Sequence, residues 1–366
     1  MTILFLILLL LLALATQMRV FQCSLKMLRS DYWPERKIVD PEDPFDVVVS
    51  VRNMSSHYVP FVKVEEFFRE PIYVQQQDEH ISGDAVRGGA LFTGTADLRA
   101  YQEVQFRIPV AVRERGRYVL GHPELAGGDF LGLREKTKTM EQYREIVVAP
   151  REISEPEISQ VMGSFLGDLS VRRFLYEDPV LTVGFREYTG REPMKMISWK
   201  QSARRGGWMV NQYDYTTEAS VTVLLNLDSP MLTEERAEWC FSAARTVCAA
   251  LEKQRIPYRF RTNAVQAGGL NVDADVGEGL GEVHFLTVLE CLGRGMAKAA
   301  DSMERLIREA EERERMAGEM SRGIVFLTPG KETVEGYGSS AGRSEQGNLL
   351  ILSAMTECEA MERKDR

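Results

Sequence analysis

The side chains best suited to chemistry lie between positions 185 and 213, where basic and aromatic residues are interleaved. This segment holds six basic and two acidic residues, a local excess of +4 in a chain whose net charge is −9. Arginine offers a planar fork of donors to phosphate and carboxylate groups, and aromatic faces add apolar contact. A salt-bridged, aromatic-clamped junction between the two domains is the interpretation that these residues alone favour. The alternative is a site for a phosphate, an acidic partner or an anionic lipid head group. The basic residues are Arg186, Arg191, Lys195, Lys200, Arg204 and Arg205.

The histidines and cysteines show no spacing that would bind zinc, and no CxxC pair occurs. A hydrolase would need a nucleophile beside a base, and the sequence contains no activated serine or cysteine motif. A hydrolase is therefore the least favoured function, and we expect no catalytic residues and no cofactor. An odd number of cysteines is typical of free thiols in a reducing compartment. They are Cys23, Cys240, Cys248, Cys291 and Cys358.

The order and spacing of residues in the central segment resemble a bacterial family known only as domain of unknown function 58. The hallmark of that family is an arginine-glutamate-tyrosine triplet, a glycine-aspartate pair, an arginine-x-isoleucine-x-tryptophan-lysine run and a serine-alanine-arginine triplet. The matching residues are Arg186-Glu187-Tyr188, Gly190, Ile197, Trp199-Lys200, Ser202-Ala203-Arg204 and Tyr213.

Three positions depart from the family pattern. Arg191 replaces the aspartate, Lys195 replaces the arginine before isoleucine, and Asn211 stands where an arginine usually follows valine. The resemblance predicts a binding site, formed by Arg186, Glu187, Tyr188, Trp199, Lys200, Ser202 and Arg204.

The resemblance also implies a partner. Members of the family are commonly encoded beside MoxR-type AAA+ ATPases, with which they are thought to cooperate. We therefore expect a non-enzymatic scaffold or adaptor that acts with such an ATPase in protein assembly or maturation, an expectation that rests on analogy. A binder of anionic lipid or of a cell-envelope polymer through the basic segment is the alternative. Nucleic acid is not expected as a partner, because the chain as a whole is acidic.

A von Willebrand factor A-like domain after the motif is a further implication of the resemblance. Such domains often bind a divalent ion through an aspartate-x-serine-x-serine loop after their first strand, and oxygen ligands suit magnesium or manganese. The corresponding loop here, residues 226–232, does not complete that pattern in any register. We expect no metal, and the only weak candidates for ligands are Asp228 and Ser229.

The N-terminus is strongly apolar, because residues 3–15 carry no charge and are mostly leucine. The run is shorter than the ~20 residues that comfortably span a bilayer. A signal peptide would need basic residues before the run, and none is present. A buried core helix is the third interpretation. We predict that residues 1–23 form a transmembrane anchor of a single-pass protein at the cell membrane. The basic residues after the run then place the soluble body in the cytoplasm.

The remaining sequence predicts two soluble domains. Residues 36–150 show period-two alternation in 45–52, 59–68, 98–112 and 117–120, with loops at 83–94 and 121–132, as expected for an antiparallel β-sandwich. Residues 151–218 form a linker segment with the family motif. Residues 219–366 alternate strands (220–227, 257–262, 323–328, 348–353) with helices (233–254, 284–292, 297–320), as expected for a mostly parallel sheet. Thr233 is predicted to cap the helix 233–254. The predicted fold class is thus multidomain: a membrane helix, an antiparallel β-sandwich, and an α/β von Willebrand factor A-like (Rossmann-type) domain.

Overall fold

The fold is described from a computed structural model. The structure describes residues 25–354 except 76–80, 85–87, 129–133, 155, 174–177, 215–219, 269–273, 318–321 and 331–348, together with residues 5, 7–9, 11, 17 and 18. The chain divides into two compact units, Met1–Arg151 and Glu152–Arg366.

The regular structure described beyond residue 24 in the first unit consists of strands. Their order in three sheets is β1-β3-β8-β5, β11-β10-β4-β7-β6 and β2-β12-β9. Nearly all neighbours are antiparallel, and the exception is the short parallel pair of β2 with β12. The strands are β1 (Leu28–Pro34), β2 (Ile38–Val39), β3 (Phe45–Asn53), β4 (Val59–Arg69), β5 (Ile72–Val74), β6 (Ile81–Asp84), β7 (Gly89–Leu98), β8 (Glu103–Val112), β9 (Gly116–Gly121), β10 (Glu124–Gly128), β11 (Glu135–Thr139) and β12 (Tyr143–Val148).

The core of this unit follows from the alternation of its strands. Val47, Val49 and Val51 on β3 are fully buried, and they belong to one cluster with Val62 and Val64 on β4. Because successive side chains of a strand point to opposite faces, this spacing of valines buries one face of β3 in the core. The strands predicted at 45–52 and 59–68 are confirmed.

The predicted loop at 83–94 is wrong, because most of its described residues lie in β6 and β7. Two glycines of this segment, Gly89 and Gly94, are strand residues with close neighbours. A Cβ at Gly94 would lie 2.6 Å from the ring of Phe106, and a Cβ at Gly89 would collide with the carbonyl oxygen of Phe68. Glycine is needed there because another group approaches the backbone closely. The predicted strand 98–112 is likewise two strands, since β7 ends at Leu98 and β8 begins at Glu103.

The second unit contains both helices and strands. In chain order its elements are α1 (Pro156–Arg173), β13 (Asp178–Glu187), a 3-10 turn (Met194–Met196), α2 (Trp199–Arg205), β14 (Met209–Asp214), β15 (Ser220–Leu225), α3 (Glu234–Lys253), β16 (Tyr258–Thr262), β17 (Ala264–Gln266), β18 (Asp275–Gly279), α4 (Glu282–Arg294), β19 (Gly295–Ala299), α5 (Met303–Ala317), β20 (Arg322–Thr328) and β21 (Leu349–Ser353).

The largest sheet of this unit has the order β18-β16-β15-β20-β21. Every residue of its central strand β15 is buried, as its continuous apolar and β-branched sequence predicts. Helix α3 begins after Thr233, whose side chain accepts a hydrogen bond from the backbone nitrogen of Arg236, so the predicted helix cap is confirmed. The buried face of α3 packs in one core with β15, β16 and α4.

The predicted fold class is wrong. Among the described residues 46% lie in strands and 26% in helices, and the strands form six sheets, most of them small and antiparallel. The assignment of a von Willebrand factor A-like domain required regular alternation of strand and helix after residue 219. Instead, β16 is followed by β17 and β18, and β18 returns antiparallel to β16. The segment predicted as the helix 297–320 includes β19, which pairs antiparallel with β17.

The prediction of a membrane anchor is wrong as well. None of the helices in the part of the chain that the structure describes is long and apolar enough to cross a membrane. The single-pass localisation at the cell membrane depended on that anchor and falls with it. The physical reason is the length of the apolar run, which ends at Ala15 and is followed by polar Thr16 and Gln17. Within residues 1–23, only 5, 7–9, 11, 17 and 18 are described, and the rest of the predicted anchor lies outside the described residues.

Candidate functional site

The family-motif residues lie on an antiparallel pair of strands and the short helix between them. Strand β13 pairs with β14, with Arg186 opposite Val210 and Glu187 opposite Met209. Helix α2 returns to this pair through a bridge between Ile197 and Val210, both of which are buried. Ile197 is therefore a packing residue of the motif. Through it, the segment that follows β13 is attached to β14 as well.

The loop between β13 and α2 is closed by the carboxylate of Glu192. One oxygen accepts hydrogen bonds from the guanidinium of Arg186 at 2.5 Å and from the hydroxyl of Thr189 at 2.8 Å. The other accepts from the backbone nitrogen of Thr189 at 3.1 Å. These donors, first the Thr189 hydroxyl and then Arg186, lower the pKa of Glu192 to about 2. Gly190 lies inside this loop with φ +88°, a backbone conformation that favours glycine.

Two tryptophans stand exposed on this frame. Trp199 begins α2 and Trp208 directly precedes β14, and their side chains are 62% and 52% exposed. Their ring centroids lie 5.6 Å apart in an edge-to-face arrangement. Tyr188 lies on the other side of Trp208, at 6.0 Å between centroids. Large aromatic surface is thus left open to solvent on a well-supported backbone.

Exposed basic residues lie on the helix that Trp199 begins, and one of them shares a cleft with Trp208. Lys200 and Arg204 lie one turn apart on α2, so they share a face of the helix, and both are exposed. Arg205 lines an open cleft of about 810 Å³ together with Glu187, Tyr188, Met194, Trp208 and Met209. No ion pair with a described residue is formed by Arg191, Lys195, Lys200, Arg204 or Arg205. We call Tyr188, Trp199, Lys200, Arg204, Arg205 and Trp208 the motif surface.

The seven predicted site residues therefore fall into two groups. Arg186 and Ser202 hold the frame, Arg186 through Glu192 and Ser202 through the backbone of Ser198 and Met209. Glu187, Tyr188, Trp199, Lys200 and Arg204 lie at the surface around the cleft. The site prediction omitted Trp208 and Arg205, although their place in the interleaved aromatic and basic pattern could have indicated them. The side chain of Tyr213 lies outside the described residues.

The weak metal candidates occupy a different place, at the end of β15. A carboxylate oxygen of Asp228 accepts a hydrogen bond from the backbone nitrogen of Met303, so it caps helix α5. The hydroxyl of Ser229 accepts from the backbone nitrogen of Met231. Both candidate ligands are used in local structure. Within the described ranges, no three histidine, cysteine, aspartate or glutamate side chains are grouped so that they could hold a metal ion.

The described cysteines lie in the core and away from this surface. Cys240, Cys248 and Cys291 are buried. Burial raises the pKa of the Cys240 and Cys248 thiols, which opposes formation of a reactive thiolate. Cys23 and Cys358 lie outside the described residues.

Comparison with known proteins adds no family. No protein-family model matches the chain, and no curated protein matches it. Among solved structures, a cohesin module from a Clostridium perfringens family 33 glycoside hydrolase aligns at 12% identity over 33% of this chain and 96% of that one, with a TM-score of 0.26. A CARDB domain from Pyrococcus furiosus, solved with di-metal ions, aligns at 14% identity over 33% and 91%, with a TM-score of 0.21. Scores this low carry no argument about fold or function. The resemblance to the domain of unknown function 58 family stays a prediction.

Proposed function

We propose that this chain is a non-enzymatic scaffold or adaptor that binds a protein partner through the motif surface. The observation that carries the proposal is the pair of exposed tryptophans, Trp199 and Trp208, which meet edge to face beside exposed basic residues that form no ion pair with a described residue. Tryptophan and arginine are the residues most enriched among those that dominate binding energy at protein interfaces. Exposed apolar area of this kind on a supported frame marks an interaction site.

The rigidity of the frame supports the same proposal. Ser202 and Ile197 tie α2 to β14, and the contact of Arg186 with Glu192 closes the loop before it. A surface whose side chains are already held in place loses less conformational entropy on binding. Less of the free energy gained by burying the two tryptophans is then lost to ordering of the surface.

The partner that we propose is a MoxR-type AAA+ ATPase, because the motif resembles the family whose members are encoded beside such ATPases. The test is an affinity pull-down with the full chain from a lysate of the cells that make it, with and without ATP and magnesium. We expect mass spectrometry to identify an AAA+ ATPase. Recovery should fall at least tenfold with Trp199→Ala and Trp208→Ala combined, as for interface hot spots.

The matched control is Tyr143→Ala, which removes another exposed aromatic side chain from a strand of the first unit. It should leave recovery of the ATPase unchanged. Equal recovery with the double tryptophan variant would show that the motif surface is not the contact. Failure to recover any AAA+ ATPase with the unaltered chain would remove the proposed partner.

A second candidate function has one observation in its favour. Five basic side chains of the segment form no ion pair with a described residue, which suits an anionic lipid or an anionic cell-envelope polymer. That function predicts sedimentation of the full chain with phosphatidylglycerol vesicles, weakened by salt and abolished by Arg204→Ala with Arg205→Ala. Loss of ATPase recovery in this variant without any vesicle binding by the unaltered chain would favour the scaffold.

A further inference from the structure

We infer that the motif surface binds an acidic peptide segment whose carboxylates contact the basic side chains while one bulky apolar side chain enters the cleft beside Trp208. This inference rests on the proposed function, because it assigns a chemistry to the segment of the protein partner that the surface contacts. It adds the class of ligand and the part of the surface that each ligand group uses.

The charges of the surface select an acidic ligand. Glu192 pairs with Arg186, and the three cations of the motif surface, Lys200, Arg204 and Arg205, form no ion pair with any residue that the structure describes. The net charge of the whole chain is −9, so an acidic peptide is repelled by most of the molecule. At physiological salt, attraction operates within roughly 8–10 Å of the cations. An acidic segment therefore gains favourable contact at this surface and is discouraged elsewhere.

The cleft adds a requirement for an apolar side chain. Its volume is about 810 Å³, and Tyr188, Met194, Trp208 and Met209 supply apolar parts of a lining that also contains Glu187 and Arg205. Methionine side chains are unbranched and adapt to the shape of an inserted group. A carboxylate bound only by charge would leave these apolar walls in water. A phenylalanine, tryptophan or leucine next to the acidic residues would cover them and displace that water.

Two features favour a peptide over a nucleic acid. Trp199 and Trp208 meet edge to face at 61°, so they do not form parallel platforms on which successive bases stack. Glu187 also lines the cleft, where its carboxylate repels any anion, a phosphate as well as a carboxylate of the peptide, so the cleft itself favours an uncharged side chain. The same carboxylate can accept hydrogen bonds from the main-chain N–H groups of a peptide. A lipid head group, for its part, would contact the basic side chains and leave the cleft unused.

The test measures fluorescence anisotropy of a short fluorescein-labelled peptide of aspartate and glutamate with a central phenylalanine, titrated with the full chain. We expect saturable binding that weakens with salt. Trp208→Ala should raise Kd roughly thirtyfold, as expected for a hot-spot residue. Arg205→Ala should raise it about tenfold, as expected for loss of a charged hydrogen bond. Arg308→Ala removes an exposed arginine of α5 outside the motif surface and should leave Kd unchanged. Arg205→Glu gives a second variant, which should abolish binding by charge reversal.

The inference is overturned if the peptide in which serine replaces phenylalanine binds equally well, because the cleft would then contribute nothing. It is also overturned if the acidic peptide fails to bind while polyuridylate or phosphatidylglycerol vesicles bind and lose affinity with Trp208→Ala. Recovery of the ATPase that depends on Trp199 and Trp208, without any binding of the acidic peptide, would contradict this inference and leave the proposed function intact. Binding of the peptide without recovery of an ATPase would support this inference and contradict the proposed partner.

Discussion

The hydroxyl oxygen of Ser202 lies 2.8 Å from the backbone nitrogen of Met209 and accepts its hydrogen bond, so one side chain joins α2 to β14. The same hydroxyl donates to the carbonyl oxygen of Ser198, also at 2.8 Å. Trp199 begins α2 and Trp208 precedes β14, so this hydroxyl sets the spacing of the two elements that carry the tryptophans. Ser202 therefore supports the motif surface through its hydrogen bonds to the backbone.

Replacement of Ser202 by alanine should therefore loosen the frame. The backbone nitrogen of buried Met209 would lose this partner, at a cost of about 1–3 kcal/mol. We expect the Met209 amide to exchange its hydrogen at least about fivefold faster, measured by hydrogen–deuterium exchange. Ser202→Thr keeps the hydroxyl and should retain protection. Ser198→Ala is the matched control, because the side chain of Ser198 makes no capping hydrogen bond. Equal protection in Ser202→Ala and Ser198→Ala would contradict this role.

The sequence predicts elements whose signals are local. The spacing of valines in β3 and the threonine before α3 each depend on neighbouring residues, and both were predicted correctly. Residues 297–299 were predicted as helix because alanine and lysine favour helix, but they lie in β19. Pairing with β17, where Ala264 lies opposite Ala299, overrides that preference. No local pattern shows which distant strand will pair.

The same limit applies to the candidate site. Basic and aromatic residues at the right spacing identified the segment, but burial decides what each of them does. Ile197 is buried while Trp199, two positions later, is exposed, although both side chains are large and apolar. The partner of Arg186 is Glu192, which the family hallmark does not include. A motif match could therefore locate the site, but it could not separate the residues that support the backbone from the residues that lie at the surface.

The carboxylate of Glu192 should keep its charge in acid. Its pKa is lowered to about 2, so its contribution to stability is present above the unfolded value of 4.5 and is lost as the pH falls towards 2. Thr189→Val removes the hydroxyl that is the largest cause and should raise the pKa of Glu192. Titration of the side-chain carboxyl carbon by NMR measures this. Thr189→Ser keeps the hydroxyl and serves as the control, and an unchanged pKa in Thr189→Val would contradict the assignment.

Glu66 predicts the opposite dependence on pH in the first unit. Its side chain is 2% exposed, burial raises its pKa to about 8, and one oxygen accepts a hydrogen bond from the hydroxyl of Tyr32 at 3.0 Å. The folded state therefore holds a proton that the unfolded state releases above pH 4.5. Stability should fall as the pH rises from about 4.5 to 8, with a slope of up to about 1.4 kcal/mol per pH unit.

Glu66→Gln should remove that slope, because the amide is neutral at every pH and still accepts from Tyr32. The measurement is chemical denaturation of the full chain at several pH values between 5 and 8, followed by the unfolding transition of the first unit. We expect the variant to be more stable than the unaltered chain at pH 8. Glu124→Gln changes an exposed glutamate of β10 and should keep the original slope. A slope that persists in Glu66→Gln would contradict the assignment to this carboxyl group.

Asn263 should be the most sensitive polar residue of the second unit. It is 4% exposed, and its side chain makes three hydrogen bonds at the ends of β15 and β16. The side-chain oxygen accepts from the Leu227 nitrogen at 2.8 Å. The side-chain amide donates to the Asn226 side chain at 2.7 Å and to the Asp301 carbonyl at 3.0 Å. Asn263→Ala leaves these buried groups without their hydrogen-bond partner, which should lower the free energy of unfolding by about 3 kcal/mol or more. For a unit of this size, Tm should fall by roughly 6–12 °C in calorimetry.

The control is Gln254→Ala, which removes an exposed amide side chain after α3 and should shift Tm little. Asn263→Asp separates hydrogen bonding from size. An aspartate can still accept from Leu227, but its second oxygen would face the oxygens of Asn226 and Asp301, to which the asparagine now donates. We therefore expect Asn263→Asp to destabilise the unit about as much as the alanine variant at neutral pH. A small shift in both variants would mean that water replaces the lost bonds and that the strand ends do not depend on this side chain.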